Sequence, residues 1–204
     1  MTSKILILFA HPRLEKSRIN RALLHSIPQH PDITVHDLYE QYPDFNVDVE
    51  KEKILLLQHD IIIWQHPFYW YSSPPLLKQW LDMVLEYGWA YGRGGTALKD
   101  KLVFNTITTG GTREAYSREG HNYFTIRELL TPFEQTARLC KMIYLPPFAV
   151  QGTHQLNDQQ IQTCSEQYTH LLQKLVSGDF DLDKILSYQF INDAFNEPLQ
   201  KVTP

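Results

Sequence analysis

The residue types that could bind or transform a ligand are concentrated in three short segments of the chain. The first, residues 11–20, follows an apolar run and contains hydroxyl, cationic and amide side chains, among them Ser17, Arg18 and Asn20. If a helix begins at Ser17, its free N–H groups and its dipole favour a bound anion such as a phosphate. In the alternative interpretation, Ser17 is only the N-cap of that helix and Asn20 is solvated.

The second segment, residues 67–75, is aromatic and contains three prolines. Phe68, Tyr69, Trp70 and Tyr71 are consecutive, so their side chains diverge and cannot all face one core. An aromatic loop suits a flat, π-rich ligand that stacks on rings and accepts backbone hydrogen bonds. The alternative is a dimer interface, which also favours Tyr and Trp, and the two roles are compatible.

The third segment, residues 108–112, carries the glycine pair Gly110-Gly111 directly after an apolar run. Paired glycines allow a backbone to approach a ligand closely, although a tight turn without any ligand is the alternative. Taken together, one anion-binding, one aromatic and one glycine-lined segment indicate a planar cofactor that carries a phosphate. Flavin mononucleotide (FMN) has that shape.

Several other classes of protein are excluded by what the sequence lacks. The first segment has neither G-x-G-x-x-G nor G-K-[ST], so a Rossmann dinucleotide site and a P-loop are not expected, and no G-x-S-x-G indicates an α/β-hydrolase. A net charge of −4 argues against nucleic-acid binding. Cys140 and Cys164 form no C-x-x-C motif, and His59 and His66 have a poor spacing for a metal, so no metal site is predicted.

The elements that must position these segments alternate between strand and helix. This alternation predicts a three-layer α/β sandwich with helices on both faces of a parallel sheet, and five strands favour the order 2-1-3-4-5. Because ligands bind at the carboxyl ends of such strands, the loops after strands one, three and four are expected to share one crevice. The predicted strands are residues 4–10, 33–38, 60–65, 102–108 and 145–150. The predicted helices begin near residue 17 and cover residues 49–58, 75–85, 133–142 and 158–176.

The length of 204 residues predicts a single domain. We place it at residues 1–177, with residues 178–204 as a C-terminal helical extension that packs on the domain or on a dimer mate. The N-terminus shows no cleavage site and no apolar run is long enough to span a bilayer, so a cytoplasmic location is expected.

Several motifs occur in order and resemble the flavodoxin-like NAD(P)H:quinone oxidoreductases. They are residues 10–12 with Ser17 and Asn20, residues 64–67 with Trp70 and Tyr71, and residues 75–82, 88–92 and 108–111. Residues 38–46 and 145–148 are most similar to one bacterial branch, the ancillary subunits of glutathione-regulated potassium-efflux systems. The similarity covers about residues 4–176 and implies a flavodoxin-like fold.

The resemblance also implies roles for individual residues. The flavin phosphate contacts fall on His11, Ser17, Arg18, Ile19 and Asn20. The contacts with the isoalloxazine ring fall on Pro67, Phe68, Tyr69, Trp70, Tyr71, Thr108, Thr109, Gly110 and Gly111. In the branch that uses FAD, a Tyr and a His near the hydride-transfer site follow the glycine motif. Tyr116 matches that Tyr in spacing, whereas His121 lies one residue early; these two are the catalytic candidates.

The implied activity is a two-electron reduction of quinones by NAD(P)H, with ping-pong hydride transfer through flavin N5. The bacterial branch implies FMN, with FAD as the alternative, a homodimer, and a membrane potassium-efflux transporter as partner, which would place the protein at the inner face of the membrane. A non-enzymatic flavin-binding regulatory subunit of a potassium/proton antiporter is the alternative function. A one-electron flavodoxin carrier is disfavoured, because such carriers are more strongly acidic.

Overall fold

The computed structural model describes residues 2–195 and contains one parallel sheet. Its strands follow the order β2-β1-β3-β4, and both β5 and β6 pair with β4 at the far side. The predicted order 2-1-3-4-5 is confirmed. The strands are β1 (Ile5–Phe9), β2 (Ile33–Asp37), β3 (Ile61–Pro67), β4 (Leu102–Thr108), β5 (Ile143–Tyr144) and β6 (Phe148–Val150).

The two faces of the sheet bury different apolar side chains. Along β1, Leu6 and Leu8 enter one core, whereas Ile5 and Ile7 enter the other. Successive strand residues point to opposite faces, so a strand covered on both faces must be apolar at every position. All five residues of β1 are buried accordingly.

Helices cover both faces, which gives the predicted three layers. Helices α1 and α7 supply the core on one face, and α3, α4 and α6 supply most of the core on the other. Short 3-10 turns cover Leu14–Lys16 and Ile191–Phe195. The helices are α1 (Arg18–His25), α2 (Leu38–Gln41), α3 (Val49–Gln58), α4 (Pro75–Val84), α5 (Ile126–Leu129), α6 (Thr131–Leu139), α7 (Asp158–Ser177) and α8 (Leu182–Ser187).

The fifth strand differs from its prediction at residues 145–150. Two short strands replace the single predicted one: Leu145 still donates its N–H to Val103 O at 2.8 Å, and the pairing with β4 resumes only at Phe148. Pro146 and Pro147 lack an N–H group and cannot donate to β4, so the strand is interrupted where they lie. β5 also begins two residues earlier than predicted, at Ile143.

One helix also differs from its predicted bounds, and another helix was not predicted. Helix α6 covers Thr131–Leu139 rather than residues 133–142, and Cys140 is its C-cap rather than a helical residue. Lys141 has a φ of 62°, a left-handed conformation that cannot continue an α-helix. Helix α2 was not predicted; it begins directly after β2 because the side chain of Asp37 accepts from the first N–H groups.

A buried carboxylate ties helix α3 to three neighbouring elements. Glu52 is completely buried and accepts hydrogen bonds from His36 at 2.7 Å, Tyr42 at 2.5 Å and Trp80 at 2.8 Å. Burial alone would raise the pKa of Glu52, but the three donors outweigh it and the pKa is lowered. The cluster fixes α4, the helix that follows the aromatic loop.

The C-terminal part of the described chain packs on the domain. Gly178, at a φ of 72°, ends α7, and the chain returns through α8 to the 3-10 turn Ile191–Phe195. Ile185 and Ile191 are buried in the same core as α7. A boundary at residue 177 stays a prediction, and residues 196–204 of the expected extension lie outside the described residues. Among residues 2–195, no helix is long and apolar enough to cross a membrane.

Candidate functional site

A cavity of about 360 Å³ lies at the carboxyl ends of the central strands. The loops after β1, β3 and β4 all reach it, as the sheet topology predicts. Eight of the residues singled out from the sequence line it: His11, Ser17, Asn20, Pro67, Phe68, Tyr69, Thr108 and Gly110. The remaining lining residues are Arg13, Lys16, Thr153 and His154.

The start of helix α1 forms one wall of the cavity. Ser17 is the N-cap, and its Oγ accepts from the backbone N–H and the side-chain Nδ2 of Asn20, at 3.2 and 3.0 Å. Asn20 is 2% exposed and not solvated, and it also donates to Thr108 Oγ1 at 2.9 Å. Within the described chain, the side-chain oxygen Oδ1 of Asn20 is buried without a hydrogen-bond partner. The Ser17 hydroxyl proton remains available to donate to a ligand.

Arg18 and Ile19 can contact a ligand in this cavity through their main chain but not through their side chains. The Arg18 guanidinium is turned away and pairs with Asp158 at 2.7 Å. The Ile19 side chain is buried in the core beneath α1. Their N–H groups belong to the first helical turn, where no carbonyl of the same helix accepts them. These two residues therefore offer main-chain donors rather than side chains.

His11 contributes a neutral donor at the mouth of β1. Its Nδ1 accepts from the backbone N–H of Arg13 at 3.1 Å, so the proton of the neutral ring lies on Nε2. Burial lowers the pKa of His11 below its usual value, with a smaller opposing effect from Glu15. At neutral pH the ring is therefore uncharged.

The aromatic loop is a tight turn in an unusual conformation. Trp70 and Tyr71 have φ values of 49° and 63°, and the N–H of Ser72 donates to Tyr69 O at 3.0 Å. Positive φ values at both central residues are typical of a type I′ turn. The two central residues of such a turn are most often Asn-Gly. Phe68 is buried, whereas Trp70 is 92% exposed. The prediction that the four aromatic side chains diverge is confirmed.

Two of the three loops carry backbone donors that the described chain does not use. Within residues 2–195, no hydrogen bond involves the N–H groups of Trp70, Tyr71, Gly110 or Gly111. Unused N–H groups at the rim of a cavity are free to bind acceptor atoms of a ligand.

Two side chains lie close to the glycine pair of the loop after β4. A Cβ at Gly110 would lie 3.0 Å from His154 Nε2, and one at Gly111 would lie 2.9 Å from Tyr116 Cε2. Thr109 is almost completely buried and bonds within the loop, donating from Oγ1 to Gly111 O at 2.7 Å. Thr109 and Gly111 thus shape the loop without lining the cavity.

The two catalytic candidates lie in different surroundings. Tyr116 packs edge-on against Phe68, with ring centroids 6.1 Å apart, and burial raises its pKa. Its hydroxyl is therefore protonated at neutral pH. His121 is exposed, and neither residue lines the cavity itself. The neighbouring Asn122 accepts from the Tyr71 hydroxyl at 3.2 Å, which connects this loop to the aromatic turn.

A buried polar chain beneath the site fixes the ends of the strands. His66 Nδ1 donates to Pro67 O and its Nε2 accepts from Asn105 Nδ2, each at 3.0 Å. The Tyr144 hydroxyl donates to Asn105 Oδ1 at 2.6 Å. Complete burial lowers the pKa of His66 to about 4, so the ring is neutral and stacks on Phe133.

Four lining residues were not among the sequence candidates. Arg13 and Lys16 lie in the first segment, where the 3-10 turn directs them to the cavity. Thr153 and His154 follow β6, so the rule that ligands gather at carboxyl ends would have found them had it been applied to the fifth strand position. Among the described residues, no group of three His, Cys, Asp or Glu side chains could hold a metal ion.

Comparisons with known proteins assign the chain to a family. Residues 3–172 match the family described as having a flavodoxin-like fold. The chain is 45% identical over 165 residues to the glutathione-regulated potassium-efflux system ancillary protein KefG of Pectobacterium carotovorum. That match covers 81% of this chain and 90% of KefG.

Two solved structures share the fold. The general stress protein 14 of Treponema denticola, in complex with FMN, has a TM-score of 0.80 at 40% identity and covers 84% of this chain and 99% of its own. An NADPH-quinone reductase from P. pentosaceus has a TM-score of 0.76 at 36% identity, covering 83% of this chain and 97% of its own. With its sheet order, its cavity at the strand ends and these similarities, the chain belongs to the flavodoxin-like fold family.

Proposed function

We propose that the cavity binds FMN and that the protein uses it to reduce quinones with electrons from NAD(P)H. The observation that carries this proposal is the convergence of three chemically different loops on one cavity. The FMN complex of the general stress protein 14 and the name of the NADPH-quinone reductase support the cofactor and the reaction class.

The N-terminus of α1 fits the phosphate of FMN. The free N–H groups of the first turn and the Ser17 hydroxyl are donors, and the helix dipole favours an anion there. Arg13 and Lys16 add positive charge to the same wall. The unpartnered side-chain oxygen Oδ1 of Asn20 is an acceptor. It therefore suits a hydroxyl group of the ribityl chain, which can donate to it, rather than the phosphate oxygens, which cannot.

The other two loops fit the isoalloxazine ring. Trp70, Tyr71, Gly110 and Gly111 offer four unused N–H donors, and the ring presents nitrogen and oxygen acceptors along its edges. Donors fixed in place stabilise negative charge that develops on a bound group. The absence of a side chain at Gly110 allows the ring to approach the backbone.

A flavin held here would supply the two-electron redox chemistry. The role left to this chain is to hold the substrates and supply a proton or hydrogen bond. Tyr116 is protonated at neutral pH, lies beside Phe68 and can donate to a quinone oxygen as that oxygen gains negative charge. His121 stays a second candidate on sequence spacing alone.

The proposal is tested by steady-state oxidation of NAD(P)H with the purified, FMN-loaded protein and a benzoquinone or naphthoquinone. We expect turnover that requires protein, nicotinamide and quinone together. Free FMN at the same concentration without protein is the control. Protein that retains FMN but oxidises no NAD(P)H would refute the enzymatic proposal.

The similarity to KefG favours a second candidate function, an ancillary subunit that docks on a membrane potassium-efflux transporter. In that case FMN binds, and the protein alters potassium efflux from vesicles that contain the transporter. The two functions are compatible. If added protein does not change potassium efflux while NAD(P)H oxidation proceeds, the ancillary function is refuted and only the enzymatic function remains.

A further inference from the structure

The segment 189–193, which we call the strap, is fastened to the loop after β4. Asp193 accepts from the Arg113 guanidinium through both carboxylate oxygens, at 2.8 and 3.2 Å, and Gln189 accepts from the same group at 3.1 Å. The guanidinium also lies 4.8 Å from the centre of the Phe190 ring. A two-pronged ion pair with a ring beneath it holds Arg113 in one orientation.

The strap is also fastened to the edge strand β6. The N–H of Ala149 donates to Asn192 Oδ1 at 2.8 Å, and the N–H of Ile191 donates to Pro147 O at 3.0 Å. Phe190 is buried in one core of the domain and Ile191 in the other. The strap therefore crosses the sheet edge and connects both faces, covering backbone groups that an edge strand otherwise exposes.

Both attachment points lie in loops that continue to the walls of the cavity. Arg113 follows the glycine loop, and its carbonyl accepts from the N–H of Tyr116 at 3.2 Å. The chain after β6 continues to Thr153, whose N–H donates to Thr109 O at 3.0 Å, and to His154, which lines the cavity. Displacement of the strap would release the loops on two walls of the site together.

We propose that the strap couples docking of the C-terminal segment to flavin binding. With the strap docked, the loops after β4 and β6 are held in the geometry that receives the ring; by linkage, a bound flavin holds the strap in place to the same degree. The strap lies beyond residues 3–172, the part that matches the family. This inference rests on the proposed function, because it needs a flavin in the cavity.

The test compares the FMN affinity of the full-length protein with that of two variants. Asp193→Asn removes the ion pair to Arg113, and Asn192→Ala removes the contact with β6. We expect each to raise the Kd for FMN, measured by quenching of flavin fluorescence, by about fivefold. The matched control is Asp82→Asn, which removes the exposed Lys78–Asp82 pair on α4 and should change the Kd less than twofold. Thermal unfolding confirms that every variant is folded.

A second measurement reads the coupling in the opposite direction. Hydrogen exchange of the Ile191 amide, followed with and without saturating FMN, should slow in the wild-type protein and respond less in Asp193→Asn. The coupling proposal would be overturned if the wild-type protein binds FMN but both strap variants have an unchanged Kd and FMN does not change the exchange of the Ile191 amide. That result would leave the proposed function standing. Wild-type protein that binds no FMN would overturn both.

Discussion

Replacing Trp70 with asparagine should stabilise the fold and weaken flavin binding at once. Trp70 has a φ of 49° and is 92% exposed, so the substitution gives up almost no buried surface. A left-handed backbone costs an ordinary residue about 1–2 kcal/mol, and asparagine adopts it more readily. We expect the free energy of unfolding to rise by about 1 kcal/mol, which corresponds to about 2–4 °C in Tm for a chain of this length.

If Trp70 contacts the flavin ring as proposed, the same substitution removes that aromatic contact. Such contacts contribute about 0.5–1.5 kcal/mol, so the Kd for FMN should rise by about two- to tenfold. Calorimetry measures the first effect on the flavin-free protein, and fluorescence titration measures the second. Tyr123→Asn is a matched control, because Tyr123 has a φ of 58° and is 69% exposed but is not among the residues expected to contact the flavin ring. It should stabilise the fold similarly and leave the Kd unchanged.

Two results would refute this reasoning. A lower Tm in the Trp70 variant would show that the indole stabilises the fold despite its exposure. An unchanged Kd would remove Trp70 from the flavin site and leave the strained turn without a functional explanation.

Further predictions concern the two buried polar clusters and Tyr116, the proposed proton donor. Glu52→Gln presents an amide group to one of three buried donors and should cost about 3 kcal/mol of stability in urea titrations; a stable variant would contradict the role of the cluster. Burial lowers the pKa of His66 from 6.5 to about 4, so the unfolded chain binds the proton first, and stability should fall by about 3 kcal/mol from pH 6.5 to pH 4. His66→Gln should lack that part of the pH dependence, and an unchanged slope would contradict the assignment. Tyr116→Phe should slow the quinone half-reaction by about tenfold, the value of one hydrogen bond, without changing flavin reduction by NAD(P)H; equal effects on both half-reactions would contradict the assigned step.

The central sheet could be predicted from the sequence because its strands are buried on both faces. Residues 4–10 form a nearly continuous apolar run, residues 60–65 contain four consecutive apolar residues and residues 102–108 begin with three; they correspond to β1, β3 and β4. The alternation with helices then restricts the strand order strongly.

The edge of the sheet carries a weaker signal. At the fifth position, Pro146-Pro147 splits an apolar run into two segments of two and three residues. A proline pair interrupts a ladder in a predictable way, but where pairing resumes depends on the register with β4.

The site was predictable in its loops and less so in its details. The carboxyl-end rule placed three loops together, but it could not show that Arg18 turns away to Asp158. A Trp-Tyr pair in a type I′ turn contradicts the local preference for Asn-Gly, so only the surrounding structure fixes it. The sequence does not indicate that Glu52 is buried, because the three donors that bind its carboxylate come from distant segments.

The central claim is that α1 holds a phosphate while the aromatic and glycine loops hold the ring attached to it. Comparing FMN with riboflavin, which has the same ring and no phosphate, tests this most directly. We predict that the protein binds one FMN per chain and binds riboflavin at least about 100-fold more weakly, as expected when several charge-assisted hydrogen bonds are lost. Equal affinity for the two, or no binding of either, would contradict the account.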